Sequence, residues 1–130
     1  MFTNSMAFSG FSVDDLAKAK DFYGKTLGIE ILEDNAMGVM TLRLATGASV
    51  VVYPKGPAHS PATYTVLNFP VDDIERAVDR LRSKGITFEK YDNIRTDEKG
   101  IHRDGGPLIA WFRDPAGNIL SVMQHTESGR

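Results

Sequence analysis

Three histidines, His59, His102 and His125, are the side chains of this sequence best suited to proton transfer near neutral pH. His59 falls in a Pro/Gly-rich stretch, His102 in a long polar stretch and His125 close to the C-terminus. Solvated surface positions account for all three. Two sharper readings of His102 stay open: a general base over a cavity, or one ligand of a His102–Asp104–Glu98 metal cluster. Cysteine is absent, which removes thiol catalysis, thiolate metal sites and disulfides together. Arg43 and Arg113 interrupt apolar runs, and each suits either a solvated strand edge or the anchoring of a substrate carboxylate. Trp111 and Phe112 are adjacent, so a strand sends them to opposite faces, one toward core and one toward a cavity or a partner.

The elements that must position these groups follow from patterning. Residues 6–13 read as a strand. Leu16, Ala19, Tyr23 and Leu27 then recur at spacings of three and four, a helix over 15–27 capped by Asp14 or Asp15 and stopped at Gly28. Strands follow at 28–32, 39–45 and 48–54, the last a β-branched run typical of a strand buried on both faces. KGPAHSPA (55–62) reads as a linker. Beyond it come a strand at 63–71, a helix at 73–84 after Asp72–Asp73, and a strand at 86–91. A polar loop at 93–106 precedes strands at 107–113 and 119–124, joined by the turn DPAGN. A frayed tail closes the chain. The loop is longer than most connections, carries five charges of both signs between Arg95 and Arg103, and suits a lid.

The second half copies the first. FSVDDLAKAKD (11–21) and FPVDDIERAVD (69–79) are identical at six of eleven positions, both helices end in Gly-Ile, and both halves finish with two strands around a Gly turn. Each half is strand–helix–strand–strand–strand. One helix covers one face of a four-stranded sheet, so two such modules curl around a cavity. The arithmetic of the whole chain agrees. At 130 residues it suits a single domain of two modules, about 6–54 and 63–124, and buries roughly two-thirds of its unfolded surface without a staple. A net charge of −2 with mixed signs argues against nucleic acid, and no apolar run reaches the roughly 20 residues that span a bilayer. MFTNSMAFSG carries no signal-peptide pattern, so a cytoplasmic location is expected.

The strand–VDDL–helix–FY–LG unit at 11–28 and WFRDPAGNILSV at 111–122 resemble the vicinal oxygen chelate superfamily of glyoxalase I, extradiol dioxygenases, fosfomycin resistance enzymes and bleomycin resistance proteins. The resemblance covers roughly residues 6–125. It implies an α+β fold of two βαβββ modules forming a half-open barrel around a cavity, and a homodimer. In the family's enzymes a divalent metal held by His, Glu or Gln acts as a Lewis acid on an oxygen-rich substrate. Carried over by spacing from the helix-cap Asp and the turn Gly, the four ligand positions are Phe8, Val51, Val66 and Ser121. Three have no donor atom and the fourth has a neutral hydroxyl. No His, Asp or Glu lies within two residues of any of them.

The expectation is therefore a protein without cofactor or metal that binds a small organic molecule, as in bleomycin-resistance-type sequestration. A lyase or dioxygenase-type enzyme with an atypical or metal-independent site is the alternative, and a degenerate module kept for protein contact is a third reading. Phe8, Val51, Tyr53, Tyr64, Val66, Asn68, Trp111 and Ser121 are expected to face one pocket, because residues two apart on a strand share a face. The 93–106 loop is expected to cover its mouth, with His102 and Arg103 turned toward the guest.

Overall fold

The computed structural model describes residues 1–125, so the terminal residues of the expected tail lie outside it. Contacts within the chain divide it into two compact units, Met1–Pro61 and the residues from Ala62 on.

The first unit is a four-stranded sheet with one helix. Its elements are β1 (Ser9–Val13), α1 (Leu16–Lys20), a wider π-helical turn at Asp21–Thr26, β2 (Glu30–Asp34), β3 (Val39–Arg43) and β4 (Ser49–Pro54). The spatial order is β1-β4-β3-β2, with β1 parallel to β4 and the other pairs antiparallel. The Asp15 carboxylate accepts the amides of Ala17 and Lys18, so of the acidic pair Asp15 is the cap. The expected helix keeps its span but widens at its second half, where the Leu27 amide reaches the Phe22 carbonyl. The adjacent Phe22 and Tyr23 both bury there, edge to face. Two expectations are corrected. The first strand begins at Ser9, so Phe8 precedes it. β4 is buried on one face only: Val50 and Val52 are core, while Val51 is half-buried and Tyr53 exposed, because a single helix covers a single face.

The second unit repeats this plan with β5 (Thr65–Pro70), α2 (Ile74–Ser83), β6 (Ile101–His102), β7 (Leu108–Arg113) and β8 (Ile119–Gln124), in the order β5-β8-β7-β6. Asp73 caps α2 through the Arg76 amide. Ile74 and Val78 of α2 are fully buried, as are Ala110, Phe112 and Leu120 of the strands beneath, and Val122 nearly so; these residues are the core. The DPAGN turn is held by Asp114, which accepts the amides of Ala116 and Asn118, while Asn118 accepts that of Ala62.

The strand expected at 86–91 does not form. That segment runs beside β7 with one backbone bond, from the Glu89 amide to the Trp111 carbonyl at 2.8 Å. Ile101 and His102, expected in a structureless loop, instead pair with Ala110 and Ile109 and occupy the next stretch of the same edge. The edge of β7 is thus shared between two distant pieces of chain, and neither completes a ladder along it.

Candidate functional site

In the second unit, alternation along the strands separates two faces. Ala110, Phe112, Leu120 and Val122 lie under α2. Their neighbours Trp111 and Ser121 are cross-strand partners on the other face, and Ser121 is paired in register with Asn68 on β5. His102 opposes Ile109, one pleat from Trp111, and so joins the same face. Asn68, Ser121, Trp111 and His102 therefore form a row across all four strands.

The row is chemically specific. Ser121 is fully buried (0% exposed) and donates its hydroxyl to the Asn68 amide oxygen at 2.6 Å. That leaves the Asn68 NH2 group as the outward donor. Trp111 has Tyr91 edge-on at a ring separation of 5.9 Å and His102 tilted against it at 6.1 Å. The Nδ1 of His102 lies 2.7 Å from the Arg95 carbonyl, which can only accept, so Nδ1 carries the proton and Nε2 of the neutral ring is an acceptor. Behind Trp111, Arg113 donates to Glu89 at 3.0 Å and to the Gly117 carbonyl at 2.9 Å, and its pKa is raised chiefly by the Glu89 bond. The Tyr91 hydroxyl is buried without a hydrogen-bond partner, and desolvation, then the Glu89 charge, push its pKa up.

The remaining positions are distributed as follows. Val66 lies half-buried on β5, and Tyr64 stands 68% exposed just before that strand. In the first unit Phe8 is 69% exposed, Tyr53 40% exposed and Val51 half-buried. Phe8 and Val51 line a groove of about 560 Å³ with Met6, Thr41 and Ser49. Arg103 departs from expectation: it forms ion pairs with Glu75 of α2 and with Asp97, on the helix side of the sheet rather than beside Trp111. His59 is not simply solvated, since its Nδ1 lies 2.8 Å from the Ser12 hydroxyl and ties the linker to β1.

The side chains at the family's metal positions do not fit a divalent cation. Phe8, Val51 and Val66 offer no donor, and the Ser121 hydroxyl is engaged with Asn68. The His102–Asp104–Glu98 alternative is not assembled either. Asp104 pairs with Arg95 at 3.7 Å, and no group of three His, Asp or Glu side chains gathers for a metal among the described residues.

Sequence reasoning missed a charge cluster on the helix side of the same sheet. Lys99 reaches Glu75 and Asp79 of α2, both at 3.0 Å, and Arg103 bridges Glu75 and Asp97. Bonds from Lys99 and then Arg103 hold the Glu75 carboxyl below the usual range, and the bonds to Glu75 and then Asp79 raise Lys99. For Asp97, burial acts upward, but the amides of Ile101 and Lys99 and the Arg103 guanidinium outweigh it and lower the pKa. The available signal was the mixed-sign run in 95–103 opposite an acidic i, i+4 pair, Glu75 and Asp79, on one helix face.

Known proteins share the fold. The family described as Glyoxalase/Bleomycin resistance protein/Dioxygenase superfamily matches residues 6–122. Among solved structures, TnmS3, an antibiotic binding protein from Streptomyces sp. CB03234, is 26% identical, with coverage of 92% of this chain and 96% of that one and a TM-score of 0.66. The fosfomycin resistance protein FosX from Listeria monocytogenes shares the fold at 15% identity, with a TM-score of 0.73 over 98% of this chain and 95% of its own. The uncharacterized protein YraH of Bacillus subtilis (strain 168) is 27% identical over 124 residues, 86% of this chain and 91% of that protein. The chain belongs to the glyoxalase/bleomycin resistance protein/dioxygenase superfamily.

Proposed function

We propose that the protein sequesters a small, planar, largely apolar organic molecule on the face of the second sheet that carries Trp111, without a metal and without changing the guest. The observation that supports this reading most is the row itself. An indole braced by two rings offers a stacking surface, and the Asn68 amide and His102 Nε2 offer one donor and one acceptor beside it. Val66 and Tyr64, at the end of β5 where its register with β8 shifts, are taken as the apolar border of that surface. Such a surface suits an aromatic or amphiphilic guest better than a phosphate, and the antibiotic binding protein TnmS3, at 26% identity, supports small-molecule binding as the kind of function.

Catalysis on the same face is the alternative, resting on His102 as a proton acceptor. One experiment addresses both. A library of planar aromatic compounds is screened by thermal shift against the wild type, Tyr64→Leu and Ser121→Phe, with each hit recovered and weighed by mass spectrometry. At about 100 times Kd a guest raises Tm by roughly 10 °C. The reading expects that shift to shrink in the variants and the guest to return unchanged. Equal shifts in all three proteins place the guest elsewhere, and a changed mass replaces sequestration by turnover.

A further inference from the structure

The two-residue strand β6 is too short to hold itself in place. Strands are usually about five or six residues, and β6 has only Ala110 and Ile109 as partners. Yet it carries His102, one wall of the aromatic row. What fixes it lies on the opposite side of the sheet. The segment ahead of β6 is a tight turn in which one Asp97 oxygen accepts the amides of Lys99 and Ile101, both at 2.9 Å, and the Asp97 amide donates to the Ile101 carbonyl. Gly100 in that turn leaves no room for a Cβ beside Phe88, and Ile101 is fully buried. Lys99, within this turn, and Arg103, just after β6, both converge on one carboxylate, Glu75, in the first turn of α2.

We propose that Glu75 is a positioning residue for the ligand face: it acts through Lys99 and Arg103 to hold β6 in register, and so holds His102 against Trp111. The inference rests on the reading of that face as the binding surface, but it can be measured without a guest. Residues 101–103 cross from one side of the sheet to the other, with His102 toward Trp111 and Arg103 toward α2. A charge on the helix therefore sets the position of a ring on the far face. Glu75 touches nothing in the row itself.

Trp111 is the one tryptophan of the sequence, so its emission reports this contact directly. The experiment compares the wild type with Glu75→Gln, Arg103→Met, the conservative Arg103→Lys and a control, Lys20→Met, which removes the exposed Lys20–Glu33 pair of the first unit. Hydrogen exchange of 97–103 and Trp111 emission are recorded on the ligand-free full chain. Glu75→Gln and Arg103→Met are expected to speed exchange at Ile101 and His102 roughly three- to tenfold and to shift Trp111 emission to the red. Arg103→Lys restores part of both effects, and Lys20→Met produces neither. Unchanged exchange and emission overturn the proposal. So does acceleration spread evenly over β5, β7 and β8, because that reports loss of the fold rather than of one position. Failure of the library screen with a normal outcome here would remove the binding reading and leave the coupling standing.

Discussion

The two halves of the chain solve the same design problem differently at one place. In the first unit the strand after the helix is β2, five residues paired with β3 along their whole length. In the second unit the same edge is served by 86–91, with a single backbone bond, and by β6. Gly28 and Gly85, at the helix ends, are 57 apart, whereas Gly47 and Gly117, in the last turns, are 70 apart, so the second half carries 13 more residues between these marks. The excess interrupts the strand, buries Gly100 on Phe88 and brings Tyr91 and His102 to Trp111. The other faces diverge in step. At the offset of the turn glycines, Thr41 stands where Trp111 stands and Val51 where Ser121 stands. At the helix-cap offset, Gly10 stands where Asn68 stands. The duplicated sheet thus carries small and aliphatic residues at these positions in one copy and aromatic and polar ones in the other.

The strongest test of the shared plan is its core. Leu42 and Phe112 are equivalent at the turn offset, and both are fully buried under their helices. Leu42→Ala is expected to cost about 2–5 kcal/mol and Phe112→Ala about 3–5 kcal/mol by chemical denaturation. If the units are energetically separate, each substitution lowers the midpoint of one of two transitions. If they unfold together, both lower a single one. A Phe112→Ala cost below about 1 kcal/mol would contradict the assignment of this position to the core.

The difference between the halves is sharpened by two glycines in left-handed conformation. Gly47, φ 93°, has nothing within 4 Å of an added Cβ, whereas at Gly100, φ 89°, the added atom would sit 2.9 Å from the Phe88 Cβ. Gly47→Ala is expected to cost only the backbone term, about 1–2 kcal/mol. Gly100→Ala adds a clash with a core side chain and should cost about 1–3 kcal/mol more. Equal losses in thermal or denaturant unfolding would mean that the insertion is not packed against the core and that its wall is looser than drawn.

Much of this was legible in the residues. The VDD caps, the Gly stops and the alternation of β3, β7 and β8 are local signals, and the repeat doubled each of them. The empty donor set at Phe8, Val51 and Val66 was equally plain, because side-chain chemistry needs no coordinates. What could not be read was competition for one edge. ITFEKY has a sound strand pattern, and no local rule says that Ile101 and His102, which follow ten residues later, will occupy part of its place on β7. Arg103 was misdirected for the same reason. Its neighbour His102 faces Trp111, but its own partner, Glu75, lies 28 residues back on a helix. Tyr91 was missed because its role depends on Trp111 across that irregular edge.

The smallest expected effect concerns pH and again separates the halves. Glu75 and Asp97 have carboxyls held below their ordinary values of 4.5 and 3.8, so their contribution to the folded state is complete above those values and is lost as pH falls through the lowered ones. Lys99 is held above 10.5, so its contribution is complete below that value and is lost only as pH rises through the raised one. The clasp between the insertion and α2 should therefore be level from about pH 5 to about pH 10 and loosen first on the acid side. The pairs are partly solvated, so the change is modest, roughly threefold in exchange at Ile101 and His102 near pH 3 after correction for intrinsic rates. The β2–β3 amides of the first unit are the internal reference, since that edge carries the exposed Lys20–Glu33 pair rather than a carboxylate shared by two cations. Glu75→Gln should flatten the acid-side loss attributable to Glu75 while leaving the reference amides unchanged. If the variant loosens on acidification as much as the wild type does, the acid sensitivity belongs to other carboxylates and Glu75 is not the group that titrates the wall.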